Sequence, residues 1–326
     1  MHNKTRNEII AIEEHYVDPI LIEKFPEFKK TPPHILAKLL LTNEERIMEM
    51  DKFGIDMQIL SHNHPGSQII SDRSSIQYAA QINNNLKRRI DKNPERFGGF
   101  ATLPMQFPEE AAAELERCVI ELGFHGAMIH GTVNGTFFDA PKFKSVFQAA
   151  SEVQKPVYVH PGNPIPSVSD AYYSDYATRF PLISTAAWGF GVEAATSAIR
   201  LILSGIFLEF PGLKIVLGHL GEGLPFLLER CHAGFSTRRP KSGPDIDFRK
   251  LFHDNFYITT SGNFSDAALA CSLMELGADK IMFAVDWPYN KNELAINWIN
   301  NFSLSKSDRH KIMSKNASDL LGICSN

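Results

Sequence analysis

Short apolar runs alternate with segments of helical period along the whole chain. Eight runs have the length and composition of strands, and they are residues 9–12, 56–61, 97–103, 126–130, 157–160, 214–217, 255–260 and 281–285. Their mostly continuous apolar character is typical of parallel strands that are buried on both faces. Helix signals recur between them: Thr42 followed by Glu44 and Glu45 predicts a helix start, and Gly54 predicts its end.

This order of elements predicts an α/β fold, a (β/α)8 TIM barrel with an insertion after strand five. The insertion is the segment from Pro161 to Phe190, which is rich in Pro, Ser, Asp and Tyr and is expected to be a long functional loop. An open doubly wound sheet is the alternative, but no Gly-rich phosphate-binding loop follows any of the runs. Since no repeat or low-complexity linker divides the chain, we predict one barrel domain over residues 1–326.

Composition argues against several classes of protein. With 33 Lys and Arg against 37 Asp and Glu the net charge is −4, and the absence of a basic stripe argues against a nucleic-acid partner. Cys118, Cys231, Cys271 and Cys324 are far apart in sequence, which favours a reducing compartment over a disulfide framework or a thiolate zinc site. The polar start of the chain does not read as a signal peptide, and no run approaches the ~18 apolar residues of a membrane span. We therefore expect a cytoplasmic protein without a membrane partner.

Four of the apolar runs end in side chains that bind metals or move protons. Glu13 and His15 follow the first run, His160 ends the fifth, His219 follows the sixth and Asp286 follows the eighth. Residues i and i+2 of a strand share a face, so Glu13 and His15 point to the same side. In a parallel barrel these strand ends meet at one mouth, where several buried acids and imidazoles require a cation. This donor set predicts one divalent metal ion, Zn or Mn.

Two further histidines, His62 and His64, follow the second run with an H-x-H spacing. They lie past the predicted strand, in a predicted loop. We therefore interpret them as residues that line the pocket rather than as metal ligands.

Six motifs are specific enough to indicate a family: AIEEH at 11–15, NPERF at 93–97, YVHP at 158–161, GHLGE at 218–222, TTSGNF at 259–264 and DWP at 286–288. In these motifs the chain resembles the amidohydrolase superfamily, and within it the metal-dependent aromatic acid decarboxylases. The resemblance is to the γ-resorcylate and 2,3-dihydroxybenzoate decarboxylases, and more distantly to aminocarboxymuconate semialdehyde decarboxylase. The hydrolase branch has an H-x-H pair on strand one and a bridging lysine on strand four. Glu13 and the lack of that lysine resemble the single-metal decarboxylase branch instead.

The resemblance implies a role for each matching position. The implied metal ligands are Glu13, His15, His160 and Asp286, the catalytic residues are His219, Asp286 and Glu222, and the substrate-binding residues are Trp188, Phe190, Arg230 and Asn163. Glu222 would orient His219 by a hydrogen bond. In the family, the arginine that Arg230 matches can reach the site of a neighbouring subunit, so the resemblance also implies a homodimer or a homotetramer.

The activity implied by the resemblance is non-oxidative decarboxylation of a hydroxybenzoate-type or related unsaturated carboxylic acid. Asp286 is the favoured proton donor, with His219 or a water molecule as the open alternative. A mononuclear metal-dependent hydrolase of a lactone or similar ester is the second hypothesis, and a catalytically idle binding barrel is the third. Two departures bear on the substrate: Gly162 stands where the relatives usually carry Arg, and His130 stands where they usually carry Asn.

Overall fold

Eight parallel strands form the centre of the structure, a computed structural model that describes residues 9–237 and 245–323. They are β1 (Ile10–Tyr16), β2 (Met57–His62), β3 (Phe97–Gly99), β4 (Ala127–His130), β5 (Val157–His160), β6 (Ile215–Leu217), β7 (Phe256–Thr259) and β8 (Ile281–Met282). Hydrogen-bonded neighbours follow the order β1-β2-β3 in one sheet and β4-β5-β6-β7-β8 in the other. Every predicted strand is present, although β3 and β8 are shorter than the apolar runs that contain them.

Two seams close these sheets into a barrel. At the first seam, Ala101 just past β3 pairs in parallel with Ala127 of β4. At the second seam, Glu14 of β1 pairs in parallel with Trp287 just past β8, and the His15 amide donates to the Trp287 carbonyl at 2.7 Å. Each strand therefore has a neighbour on both sides, and the predicted (β/α)8 barrel is confirmed.

Helices connect the strands. They are α1 (Pro19–Lys24), α2 (Pro33–Leu39), α3 (Asn43–Phe53), α4 (Ser74–Ile90), α5 (Pro108–Ile120), α6 (Lys144–Glu152), α7 (Pro166–Tyr172), α8 (Ser174–Ala177), α9 (Gly189–Leu203), α10 (Ile206–Glu209), α11 (Leu224–Thr237), α12 (Phe248–Asn255), α13 (Asp266–Leu276), α14 (Asn292–Asn301), α15 (Lys306–His310) and α16 (Asn316–Leu321). The sequence signals at α3 are confirmed: Thr42 and Glu45 form a capping box, and Gly54 ends the helix with φ of 73°. The insertion after β5 is not a structureless loop, because it contains α7 and α8.

Apolar side chains fill the inside of the barrel and the layer between strands and helices. The buried members of the inner cluster are Ile10, Ile12, Met57, Ile59, Phe100, Met128, Tyr158, Val216, Met282, Ala284, Ala317 and Leu321. Because both faces of the strands are covered, every residue of β1 and β2 is buried, including the polar ones. Among the described residues, none of the helices is both long and apolar enough to cross a membrane.

Candidate metal centre and active site

Glu13 lies on β1 with its side chain fully buried. Its Oε2 accepts hydrogen bonds from the Tyr158 hydroxyl and from the Thr259 hydroxyl at 3.4 Å. Its Oε1 has no hydrogen-bond partner within the described part of the chain. Burial raises the pKa of this carboxyl, although the His219 imidazole acts in the opposite direction. Hydrogen bonds to Oε2 thus hold the side chain in place, and Oε1 is left available as a ligand atom.

His15 and His160 each present a ring nitrogen toward that oxygen. The His160 Nδ1 lies 2.7 Å from the Pro161 carbonyl, which can only accept, so Nδ1 carries the proton and Nε2 has a free lone pair. This Nε2 lies 3.5 Å from Glu13 Oε1. The His15 Nδ1 contacts the Ser61 hydroxyl at 3.1 Å. The His15 Nε2 lies 4.0 Å from Glu13 Oε1 and has no hydrogen-bond partner among the residues described.

These three side chains fit a divalent cation. Each offers one ligand atom, and the three atoms all lie within 4.8 Å of one another. A carboxylate oxygen that faces an imidazole lone pair is repelled by it, and each buried polar atom without a partner costs about 1–3 kcal/mol. A cation among them would remove both penalties. Imidazole nitrogen and carboxylate oxygen are ligands that both Zn and Mn accept.

Asp286 adds a second carboxylate from the β8 side of the seam. Its Oδ1 lies 3.3 Å from His15 Nε2. Its Oδ2 accepts a hydrogen bond from the Asn290 side chain at 3.0 Å and lies 4.0 Å from His219 Nε2. The residue has φ of 66°, a left-handed conformation that non-glycine residues seldom adopt. One oxygen therefore faces the candidate cation site, and the other faces His219.

His219 and Glu222 lie on a left-handed turn that follows β6. All five residues from His219 to Gly223 have positive φ, between 52° and 78°. The turn places Glu222 Oε1 2.7 Å from His219 Nδ1. Burial opposes a charge on His219, but the carboxylates of Glu222, Glu13 and Asp286 outweigh it and raise the pKa of the imidazole to about 10. A cation on Glu13 and Asp286 would weaken their part of this effect, whereas Glu222 would keep its own.

Aromatic rings form the side of the site next to His160. The His64 ring stacks on His160 with 6.5 Å between centroids and lies 5.9 Å from Phe190. The His130 ring lies 4.9 Å from His160, and its backbone amide and carbonyl both bond to the Gln68 side chain at 2.8 Å. Burial lowers the pKa of His64 to about 4 and that of His130 well below its ordinary value. This aromatic wall, His64, His130 and Phe190, is therefore uncharged near neutral pH.

The two departures from the family pattern meet in space. A Cβ on Gly131, the residue after His130, would come within 2.6 Å of the Gly162 Cα. A Cβ on Gly162 would come within 2.5 Å of the Gly131 Cα. The segments that follow β4 and β5 therefore cross at a pair of glycines. A side chain as large as arginine at position 162 would require the backbone to move.

Four hydroxyl-bearing residues of the site, Ser61, Tyr158, Thr259 and Ser261, were not predicted. The Tyr158 hydroxyl contacts Thr259 at 3.0 Å, Thr259 contacts Ser261 at 2.9 Å, and Ser261 accepts from the His219 amide at 3.0 Å. A sequence signal was available for three of them. Tyr158 lies two residues before His160, and Thr259 lies two residues before Ser261, so strand alternation directs each pair to one face.

The structure brings most of the predicted site residues together, and these are Glu13, His15, His160, His219, Glu222, Asp286 and, through His64, Phe190. Trp188 is 63% exposed, and Asn163 and Arg230 are exposed as well, so their contact with a substrate stays a prediction. The interpretation of His62 as pocket lining is wrong. Its Nε2 accepts from the Asp18 amide at 3.0 Å and its Nδ1 bonds the Asn63 carbonyl at 2.9 Å, so both nitrogens are used inside the protein.

The chain is similar in sequence and in structure to known decarboxylases. It is 38% identical over 328 residues to the gamma-resorcylate decarboxylase of Polaromonas sp., covering 96% of this chain and 98% of that protein. A crystal structure of a dihydroxybenzoic acid decarboxylase from Polaromonas sp., with manganese and the inhibitor 2-nitroresorcinol, has a TM-score of 0.89 at 38% identity over 97% of each chain. A crystal structure of 5-carboxyvanillate decarboxylase from Novosphingobium aromaticivorans, with manganese and 4-hydroxy-3-methoxy-5-nitrobenzoic acid, has a TM-score of 0.90 at 29% identity, over 99% of this chain and 98% of that one.

The family model described as Amidohydrolase matches residues 37–323. The match covers most of the chain, and it agrees with a closed parallel barrel that carries metal-type ligands at the carboxyl ends of its strands. This chain therefore belongs to the amidohydrolase family.

Proposed function

We propose that this chain is a metal-dependent decarboxylase that releases CO2 from a hydroxybenzoate-type acid. The observation that carries the proposal is the pair of buried ligand atoms without partners, Glu13 Oε1 and His15 Nε2, at the mouth of a barrel whose relatives are named decarboxylases. Glu13, His15, His160 and Asp286 would hold the ion. When bound, the ion would draw electron density from the substrate's carboxylate and a neighbouring hydroxyl.

The chain's own groups can supply the proton that the reaction needs. Protonation makes the ring carbon that bears the carboxylate tetrahedral; the bond to the carboxylate then breaks, its electron pair restores the aromatic ring, and CO2 leaves. We assign the delivery of the proton to Asp286, whose Oδ2 lies 4.0 Å from His219 Nε2. His219 would return a proton to Asp286, and Glu222 orients the imidazole through Nδ1.

The aromatic wall supports an aromatic substrate. His64, His130 and Phe190 present ring faces and edges beside the candidate cation site, and aromatic pairs stabilise a bound ring in offset or edge-to-face geometry. Because the wall is uncharged, it favours a ring substituent such as hydroxyl over a second carboxylate. We therefore propose a hydroxybenzoate with one carboxylate as the substrate.

Manganese is the ion that we propose. Both of the similar crystal structures described above contain manganese, and a set of two imidazoles and two carboxylates is compatible with it. Zinc is the alternative, because the same set also suits zinc. Elemental analysis of the purified protein, together with titration of the metal-free protein with each ion, distinguishes the two.

The proposed reaction is tested by measuring CO2 release from 2,6-dihydroxybenzoate and 2,3-dihydroxybenzoate by the manganese-loaded and zinc-loaded protein. We expect CO2 and the corresponding dihydroxybenzene in equal amounts. The alternative, lactone hydrolysis, is measured in parallel as ring opening with uptake of water. Ring opening without CO2 release from any hydroxybenzoate would contradict the proposal.

We also propose that the protein is a homodimer or a homotetramer. Large apolar side chains are exposed on α11 and in the insertion, with Phe226 80% exposed, Trp188 63% and Leu182 60%. Arg230 is exposed on α11 four residues after Phe226, so a second copy packed against this side of α11 would bury Phe226 and place the arginine between subunits. Light scattering after size-exclusion chromatography should show an oligomer that Phe226→Asp weakens. A monomeric wild type would contradict this proposal.

Two further proposals concern the compartment in which the protein works and its division into domains. Cys118, Cys231 and Cys271 are free thiols, which supports a reducing compartment such as the cytoplasm. The strands of the barrel are drawn from residues 10–282, which supports one domain over residues 1–326. A single cooperative unfolding transition is the expected result for one domain.

A further inference from the structure

The β8–β1 seam carries three of the four candidate metal ligands. Glu13 and His15 belong to β1, and Asp286 lies just past β8. Two backbone hydrogen bonds join the seam next to these ligands. The Asp286 amide donates to the Glu13 carbonyl at 3.1 Å, and the His15 amide donates to the Trp287 carbonyl at 2.7 Å. Small shifts at this seam would therefore move the ligands relative to one another.

Glu14 supports the seam from the side opposite to Glu13 and His15. Its side chain is fully buried, and its Oε1 accepts a hydrogen bond from the Val285 amide at 2.9 Å. Its Oε2 accepts from the Gln58 side chain at 3.3 Å. Glu14 thus connects the residue before Asp286 to β1 and, through Gln58, to β2.

Arg46 of α3 completes this connection. The residue is 1% exposed; Nη1 donates to the His15 carbonyl at 2.7 Å and Nε donates to Gln58 Oε1 at 2.6 Å. The guanidinium carbon lies 4.1 Å from the centroid of the Trp287 ring, in cation–π geometry. Arg46 therefore contacts both a ligand and the residue that follows the ligand Asp286.

A buried arginine and a buried glutamate are costly to desolvate, and their replacement by apolar residues often leaves a fold as stable as before. Stability alone is therefore a weak reason for this pair. In the described part of the chain, the hydrogen bonds and the ring contact of this pair involve Gln58 and groups that flank or carry ligands: the His15 carbonyl, the Val285 amide and the Trp287 ring. Hydrogen bonds behind metal ligands commonly set metal affinity by orienting the ligands.

We propose that Glu14, Gln58, Arg46 and Trp287 form a positioning network that holds His15 and Asp286 in the geometry of metal binding. This inference rests on the metal site of the proposed function. It makes Arg46 and Gln58 positioning residues that influence the site through the backbone of β1 and of the segment that follows β8.

The network is tested by the Mn²⁺ affinity of variants, measured by calorimetric titration of the metal-free protein without substrate. Arg46→Met should weaken Mn²⁺ binding by roughly 10–100-fold, the range found when such supporting hydrogen bonds are removed. Arg46→Lys should recover part of the loss. Gln58→Met, whose side chain contacts neither His15 nor Asp286 in the structure, should weaken binding in the same direction and keeps the test valid if Arg46→Met does not fold.

The matched control is Arg96→Met. Arg96 also donates to backbone carbonyls, those of Asp56 at 2.7 Å and Ile55 at 3.1 Å, but these precede β2 at the opposite end of the barrel. The Arg96→Met variant should have a lower unfolding temperature and an unchanged Mn²⁺ affinity. Folded Arg46 and Gln58 variants with wild-type Mn²⁺ affinity would overturn the inference.

Failure of the proposed function gives a different result. If the wild type binds Mn²⁺ but releases no CO2, the proposed decarboxylase activity is wrong. The positioning network is then still tested by the Mn²⁺ affinities of the variants. If the wild type binds no divalent ion, the metal site and the network are both overturned.

Discussion

Single residues at the barrel mouth are held by one atom and left open at another. Glu13 is bonded through Oε2 and open at Oε1, and His15 is engaged at Nδ1 and open at Nε2. Asp286 likewise turns one oxygen to His15 and one to His219. If every polar atom of these side chains were hydrogen-bonded within the protein, none would be left to ligate an ion. The atoms without such a bond are therefore the candidate ligand atoms.

Asp286→Asn should lower CO2 release by at least about 100-fold, because an amide can neither give up a proton in this role nor ligate as a carboxylate. Activity is measured at saturating Mn²⁺, and circular dichroism checks that the fold survives. Asp91→Asn, which changes an exposed partner of Lys87, is the control and should retain full activity. Undiminished turnover in Asp286→Asn would remove this residue from the site.

Tyr158→Phe should weaken Mn²⁺ binding by about 10-fold, because Glu13 Oε2 would lose the hydrogen bond from the Tyr158 hydroxyl and keep the longer one from Thr259. The lost hydrogen bond should also lower the free energy of unfolding by about 1 kcal/mol. Tyr257→Phe on β7 is the matched control, since that ring lies beside Lys280 rather than beside Glu13. An unchanged Mn²⁺ affinity in Tyr158→Phe would show that its hydroxyl does not position Glu13.

At the scale of elements, the turn after β6 has the most unusual backbone of the site. Positive φ in a non-glycine residue costs about 1–2 kcal/mol, and His219, Leu220 and Glu222 all adopt it. Gly221 and Gly223 lower the total cost of the turn. This conformation brings the His219 imidazole within hydrogen-bond distance of the Glu222 carboxylate, three residues later in the chain.

Gly221→Ala should reduce kcat/KM by roughly 10-fold by shifting His219, since a Cβ at this position would lie 3.0 Å from Ile258 and Pro225 side-chain atoms. Gly54→Ala is the matched control, because Gly54 has a similar φ of 73° with nothing within 4 Å of its Cβ position. Both variants should lose about 1 kcal/mol of stability or more. If Gly221→Ala keeps wild-type kcat/KM, the turn does not control the position of the imidazole.

The insertion after β5 shows where element prediction was incomplete. Its Pro, Ser, Asp and Tyr content predicted a loop, yet it contains α7 and α8. Pro166 begins α7 at a position where proline is compatible with a helix. Helices this short depend on tertiary contacts, which composition does not report.

At the scale of the whole molecule, the candidate ion would join strands that are far apart in sequence. Glu13, His160 and Asp286 come from β1, β5 and the end of β8, so an ion bound to all three connects opposite parts of the barrel. A ligand that binds only the folded state stabilises it by mass action.

Addition of Mn²⁺ at 100 times its Kd should therefore raise the free energy of unfolding by about 2.7 kcal/mol. The measurement is thermal unfolding of the metal-free protein with and without Mn²⁺. His15→Ala, which removes one ligand, should abolish most of the shift. A wild-type unfolding temperature that does not respond to Mn²⁺ would contradict a metal site in the folded barrel.

Much of the barrel and of the ligand set could be predicted because the relevant signals are local. Apolar runs of strand length, capping residues such as Thr42 and polar residues at the ends of runs are visible within a few positions of one another. For this reason the positions of His160 at the end of β5 and of Glu13 and His15 on β1 could be predicted. His62 was misjudged because a strand-end histidine looks the same in sequence whether it faces the pocket or the Asp18 amide.

The sequence by itself determined the order of eight strands, the side chains at their ends and the face that Glu13 and His15 share. Only the tertiary structure decided that Tyr158 and Thr259, 145 and 246 residues from Glu13, hold that carboxylate, and that Arg46 supports the seam behind it. It also decided that the backbone segments at Gly131 and Gly162 cross, and that a left-handed turn brings His219 into contact with Glu222. The physical reason is that strand identity follows from local periodicity, whereas these contacts depend on the register and closure of the barrel, which bring distant residues within hydrogen-bond distance.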